Sequence, residues 1–101
     1  MVAYDEDDDN ALELASNAVA RLVAAGKLDE AERAAHRLVE DFPEVHDGYD
    51  RLGMVHEARG NKKAAVECYR KAAAFIRDND GSPELEQVYL DLVRRLGSPG
   101  S

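Results

Sequence analysis

Gly26-Lys27-Leu28-Asp29-Glu30-Ala31 and Gly60-Asn61-Lys62-Lys63-Ala64-Ala65 decide the fold of this chain. Each opens on a glycine and reaches an alanine five residues later, and the two glycines stand 34 residues apart. A 34-residue period with small residues at fixed places marks a repeated helix–turn–helix unit. Glycine commonly stands just past a helix end because it takes a left-handed backbone. Each of the two stretches therefore separates one helix from the next.

Working outward, Asn10 with Glu13 three residues on has the form of a helix start with a capping box. Asp8 and Asp9 lie where a helix dipole favours negative charge. Helix one is expected over about 11–25, with Leu12, Ala15, Val19, Leu22 and Val23 at helical spacing. Residues 1–9 are expected to be a disordered acidic tail. Helix two is expected over 28–41, with Ala31, Ala34, Ala35, Leu38 and Phe42 as its buried stripe and Pro43 forcing a stop. Helix three follows over about 45–59, with Tyr49, Leu52, Gly53 and His56 on one face. Asn61 suits the cap of helix four, which is expected to run to about Arg77 with Ala65, Cys68 or Tyr69, Ala72, Phe75 and Ile76 inward. Asp78-Asn79-Asp80-Gly81-Ser82 reads as a turn, and Pro83 suits the first turn of a fifth helix over 83–96. Its inward face is expected to be Leu85, Val88, Tyr89, Leu92, Val93 and Leu96, and Leu90 widens the apolar side. Gly97 to Ser101 reads as a flexible end. No segment alternates with period two, so no strand is expected, and the helical domain spans 10–96.

Composition bounds what such a domain does. The 101 residues suit one small domain, and 45 % apolar with 34 % charged residues is a globular balance. The formal net charge is −8. Asp5-Glu6-Asp7-Asp8-Asp9 is an unbroken acidic run, and without it the chain carries 16 acidic against 13 basic residues. Phosphate binding requires Lys and Arg to neutralise phosphates, so this balance argues against nucleic acid and anionic membranes as partners. The acidic run is a solubilising feature, with docking on a basic partner as its sharper use. Cys68 is the one cysteine, so no intrachain disulfide forms and no zinc ligand set is assembled. The first nine residues lack the basic and apolar regions of a secretory signal, and no apolar run reaches the ~20 residues of a membrane span. The expected location is cytoplasmic.

Helices three and four resemble a tetratricopeptide repeat. Tyr49, Leu52-Gly53, His56, Gly60, Ala65, Tyr69 and Ala72 stand at that family's spacing, with His56 in place of an aromatic residue. The first 34 residues of the period resemble it less closely through Ala15, Ala18-Val19, Leu22, Gly26, Ala31, Ala35, Leu38 and the closing Pro43. Ala24/Ala58, Gly26/Gly60 and Ala31/Ala65 are the identities between the two copies. Helix five resembles the capping helix of such arrays, and the resemblance covers roughly residues 11–96. It implies an all-α, right-handed stack of antiparallel helix hairpins, in five helices, with stability summed between neighbours. Gly53 and Ala65 would let the two helices of a repeat approach, and Ala72 would let the next helix dock. Tyr49, Leu52 and Tyr69 would fill the space between.

The resemblance also implies a function. Such arrays bind peptides or helices of partner proteins in a concave groove lined by the first helix of each repeat. Carried over by position, that groove is Glu13, Ser16, Asn17, Ala20 and Val23 in the first repeat and Asp47, Asp50, Arg51, Met54 and Glu57 in the second. The subtype that clamps chaperone carboxylates uses Lys, Asn and Arg at several of these places. Here Ser16, Ala20, Asp50 and Met54 occupy them and Arg51 alone is basic, which argues against that subtype. An acidic lining with apolar spots suits a basic or amphipathic segment. The bland reading is that these are ordinary solvated helix residues.

No catalytic pattern stands beside this. His46 and His56 are ten residues apart, about 280° around a helix, and His36 lies on a different helix, so a metal site is not expected. Cys68 has no fixed His or Asp neighbour and reads as a structural thiol. There is no phosphate-binding glycine loop and no HExxH. A non-catalytic scaffold without cofactor or metal is expected, as a monomer or weak homodimer. The alternative is a structural unit that oligomerises or docks through the apolar face of helix five.

Overall fold

The computed structural model describes residues 3–97. Among these it forms five α-helices and no strand: α1 Ala3–Ala24, α2 Leu28–Asp41, α3 Asp47–Ala58, α4 Lys62–Phe75 and α5 Pro83–Gly97. A π-helical turn, Ile76–Asp80, prolongs α4. The all-helical fold and the bounds of α2 agree with the sequence reading. α1 begins at Ala3 and not at the Asn10 cap, so residues 3–9 of the expected tail are helical. Acidic residues are compatible with the positive end of a helix dipole, which removes the electrostatic reason to stop at Asn10. The remainder of that tail, Met1 and Val2, lies outside the described residues, as do Ser98–Ser101 of the expected flexible end.

The two glycine turns are built alike. Gly26 and Gly60 take φ of 77° and 81°. Lys27 N–H reaches Leu22 O at 2.9 Å while Gly26 N–H reaches Val23 O at 3.0 Å. Thirty-four residues on, Asn61 N–H reaches His56 O at 2.9 Å and Gly60 N–H reaches Glu57 O at 3.0 Å. Both are Schellman closures, which pair otherwise orphaned helix carbonyls. Asn61 Oδ1 then accepts from Ala64 N–H at 3.4 Å, a long capping bond that opens α4.

Two further boundaries differ from expectation. α3 starts at Asp47 because the segment after Pro43 makes a turn, with Val45 N–H on Phe42 O at 3.3 Å. α4 ends at Phe75 and the chain stays coiled through the expected turn cluster. Asn79 Nδ2 donates to Phe75 O at 2.9 Å, and Gly81, at φ 67°, donates to Ile76 O at 2.7 Å. These bonds satisfy the carbonyls that a normal α-helical end would leave open.

Each helix packs on the next, and α1 also packs on α3. The core is divided accordingly. Val19, Ala31, Ala35, Leu52 and Val55 form one buried cluster, with Leu22, Val23, Val39 and Cys68 against it. Ala65, Tyr69, Ala72, Ala73, Ile76 and Tyr89 form another, with Tyr49, Leu85, Leu92, Val93 and Leu96 against it. Small residues set the close approaches. A Cβ on Gly53 would lie 2.6 Å from the Tyr69 ring, and one on Gly48 would lie 2.8 Å from the Val39 backbone nitrogen. Ala31, Ala35, Ala65 and Ala72 are wholly buried. The molecule measures 55 × 33 × 17 Å; its least dimension accommodates two helix layers at the usual ~8–10 Å spacing.

α5 packs on α4 and on the π turn. Val88, expected on its inward face, is 51 % exposed. Tyr89, with Leu85, Leu92, Val93 and Leu96, takes the contact with α4, and at about 100° per residue Val88 falls at the edge of that arc.

Candidate functional site

α1 and α3 lie side by side, and one ion-dipole contact ties them. Arg51 Nε donates to Ser16 Oγ at 2.8 Å and to Ser16 O at 3.2 Å. Arg51 Nη1 also stands 3.8 Å from Asp50 Oδ1. The one basic side chain among the ten expected lining residues is thus turned onto α1. Ser16 is 4 % exposed, which corrects its placement as a lining residue: it is the buried acceptor that holds Arg51.

Asp50 and Glu57 stand on one side of α3, seven residues or about 20° apart around the axis. Each accepts a tyrosine proton. Tyr89 O–H donates to Asp50 Oδ2 at 2.6 Å, reaching across from α5, and Tyr69 O–H donates to Glu57 Oε1 at 2.9 Å from α4. The two rings stack with centroids 6.1 Å apart and planes at 27°, and His46 meets the Tyr89 ring edge-on at 5.7 Å. Burial first, and the carboxylate hydrogen bond second, push both phenols well above the ordinary tyrosine value. Both therefore remain donors, and each fixes one carboxylate rotamer. A carboxylate offers about four acceptor positions, so the remaining lone pairs stay open to donors from outside.

The other expected residues divide by exposure. Glu13, Asn17 and Glu57 are exposed, while Ala20, Val23, Asp47, Asp50, Arg51 and Met54 are half-buried. Val23 packs against the α1–α2–α3 core cluster, so its share of the lining is small. The structure brings Ser16, Arg51, Asp50 and Tyr89 into one polar row, hydrogen-bonded at its two ends and joined by the 3.8 Å Arg51–Asp50 ion pair, and sets Glu57 beside it through Tyr69. The sequence reading assigned Tyr69 and Tyr89 to packing alone. A tyrosine in place of leucine on a buried face was the available signal, since a buried phenol usually finds a partner for its hydroxyl.

A second polar contact joins α2 to the end of α3. Arg59 Nη2 donates to Asp29 Oδ1 at 2.6 Å, and Arg59 Nε lies 3.1 Å from Glu32 Oε1. The Arg59 hydrogen bond holds Asp29 below the usual carboxylate range. Asp29 is largely in solvent, so this clamp adds little stability. Burial pushes the Cys68 thiol up, which keeps it protonated and a poor nucleophile. No group of three metal-ligating side chains occurs among the described residues, and none of the described helices is long and apolar enough to cross a membrane. A shallow open depression occurs on α5, lined by Val88, Asp91, Leu92, Arg94 and Arg95.

No family model, curated protein or solved structure matches the chain.

Proposed function

We propose that the chain is a small non-catalytic protein-interaction module of the tetratricopeptide kind. In this reading, α1–α4 are two antiparallel hairpins in a right-handed stack, α5 covers the last of them, and the α1–α3 face receives a basic or amphipathic segment of a partner protein. Support for the stack comes from the matching Schellman closures at Gly26 and Gly60 and from the packing of α1 on α3. One observation carries the binding reading: Asp50 and Glu57 are held in place by buried tyrosines, while the neighbouring Arg51 hydrogen-bonds Ser16 and approaches Asp50 only to 3.8 Å. Preorganised acceptors whose nearest cation is already engaged favour donors brought by a partner. Met54, between them on α3, and Ala20 on the neighbouring α1 are half-buried and supply apolar contact for an amphipathic helix.

Affinity capture from an extract of the source cells tests this. The wild-type chain should retain a partner that salt elutes, and an Asp50→Lys, Glu57→Lys variant should lose it. Because those substitutions also break tyrosine hydrogen bonds, Glu13→Lys at an exposed position serves beside them and should weaken retention with the melting midpoint unchanged. Equal retention by all three proteins would count against the α1–α3 face.

A further inference from the structure

The outer edge of α5 carries a pattern that is complementary to itself. Glu84, Val88, Leu92 and Arg95 follow one another at spacings of four, four and three residues. Glu84 and Arg95 are eleven residues apart, so they share one stripe to within about 20° and lie about 16 Å apart along the axis. Val88 is 51 % exposed, Leu92 is half-buried, and both line the shallow depression on this helix together with Arg95. The stripe thus runs from an acid, through an apolar centre, to a base.

The charges beside the stripe are spoken for within the helix. Gln87 Nε2 donates to Asp91 Oδ1 at 2.9 Å, and Arg94 Nη1 lies 3.9 Å from the same oxygen. Among the described residues neither Glu84 nor Arg95 has an ion-pair partner. α5 packs on α4 and the π turn, and its Tyr89 reaches Asp50 of α3 and His46 from the inward face, which leaves Glu84, Val88 and Arg95 exposed on the outer edge.

We propose that this edge is a contact between two copies of the chain, with α5 packed antiparallel on α5 of the second copy. A two-fold axis near residue 90 sets Val88 of each copy against Leu92 of the other. The same axis places Glu84 of each copy opposite Arg95 of the other, within one residue of register, so both ion pairs form from one isologous contact. A single helix about 22 Å long buries less than the ~1,200 Å² at the low end of specific interfaces. The association is therefore weak and concentration-dependent. Leu90, on the opposite edge of the apolar arc from Val88 at about 160° around the axis, lies outside the contact. The residues involved are distinct from the α1–α3 face, so this contact stands or falls independently of the proposed binding function.

Sedimentation with concentration, up to about 500 micromolar, tests the contact. The wild-type mass should rise toward the dimer. Val88→Glu should hold the chain monomeric throughout, and Leu90→Glu should dimerise as wild type does. Glu84→Arg and Arg95→Glu should each be monomeric, since each sets like charges opposite one another twice. An equimolar mixture of those two variants should recover the dimer, because every facing pair is then opposite in sign. Circular dichroism melts check that each variant is folded, and the mixture keeps the test decisive where one variant is destabilised. A wild-type chain that stays monomeric, a dimer that survives Val88→Glu, or a mixture that fails to associate would each overturn the proposal.

Discussion

Tyr89 shows how much one hydroxyl changes the meaning of a residue. Its ring completes the α4–α5 core, and its O–H crosses to Asp50 on α3, two helices back in the chain. Tyr89→Phe keeps the ring and deletes the bond, leaving Asp50 one donor short. The expected loss is about 1.5–3 kcal/mol, in line with hydrogen bonds to charged groups, measured by urea unfolding. The raised phenol values of Tyr69 and Tyr89 make a pH prediction. In the unfolded chain these tyrosines ionise near the ordinary pH of about 10, whereas in the folded chain they keep their protons to higher pH. Above that point the unfolded state binds fewer protons, so the stabilisation, complete below about pH 10, declines as pH rises further. Phenolate absorbance should show a late-titrating fraction that Tyr69→Phe and Tyr89→Phe each reduce. Uniform titration of all four tyrosines near the ordinary value would contradict the buried placement.

At the scale of the element, the glycine turns offer a paired experiment. A Cβ on Gly26 or on Gly60 would meet nothing within 4 Å. The penalty of Gly26→Ala and of Gly60→Ala is therefore that of the left-handed backbone alone, about 1–2 kcal/mol each. Equal losses in the two variants, with unchanged dependence on urea, are expected if the turns are copies of one motif. Gly53→Ala differs in kind, because its new methyl runs into the Tyr69 ring at 2.6 Å. Tyr69 is held by Glu57 and by the Tyr89 stack, so it yields poorly, and overpacking of ~1–3 kcal/mol should appear as a lower melting midpoint. These elements were legible in the sequence for local reasons: glycine at φ near 80°, alanine at full burial, and proline at a first turn each signal their own backbone or packing need. The π turn was not legible. Asp78-Asn79-Asp80-Gly81 has the composition of a turn, and the Asn79 side chain and Gly81 N–H instead extend the coil. Likewise Ser16 reads as an exposed polar residue until Arg51, 35 residues later, is seen to donate to it. Such pairings depend on which helices become neighbours, and helical period carries no record of that.

For the whole molecule, division of the core into an α1–α2–α3 cluster and an α4–α5 cluster means that each helix depends mainly on its neighbours. The polar row from Ser16 through Arg51 and Asp50 to Tyr89 links one cluster to the other across the α1–α3 face. The surface proposed to bind a partner is thereby also a seam of the fold, and its acceptors are fixed before any ligand arrives. The direct measurement is an amide NMR titration with an amphipathic helical peptide of lysine and leucine, alongside its glutamate-for-lysine counterpart. The lysine peptide should shift Asn17, Asp50, Met54 and Glu57 with an affinity that falls as salt rises, and the glutamate peptide should leave them unmoved. Equal responses to both peptides, or shifts confined to α5, would contradict an acidic docking face on α1 and α3.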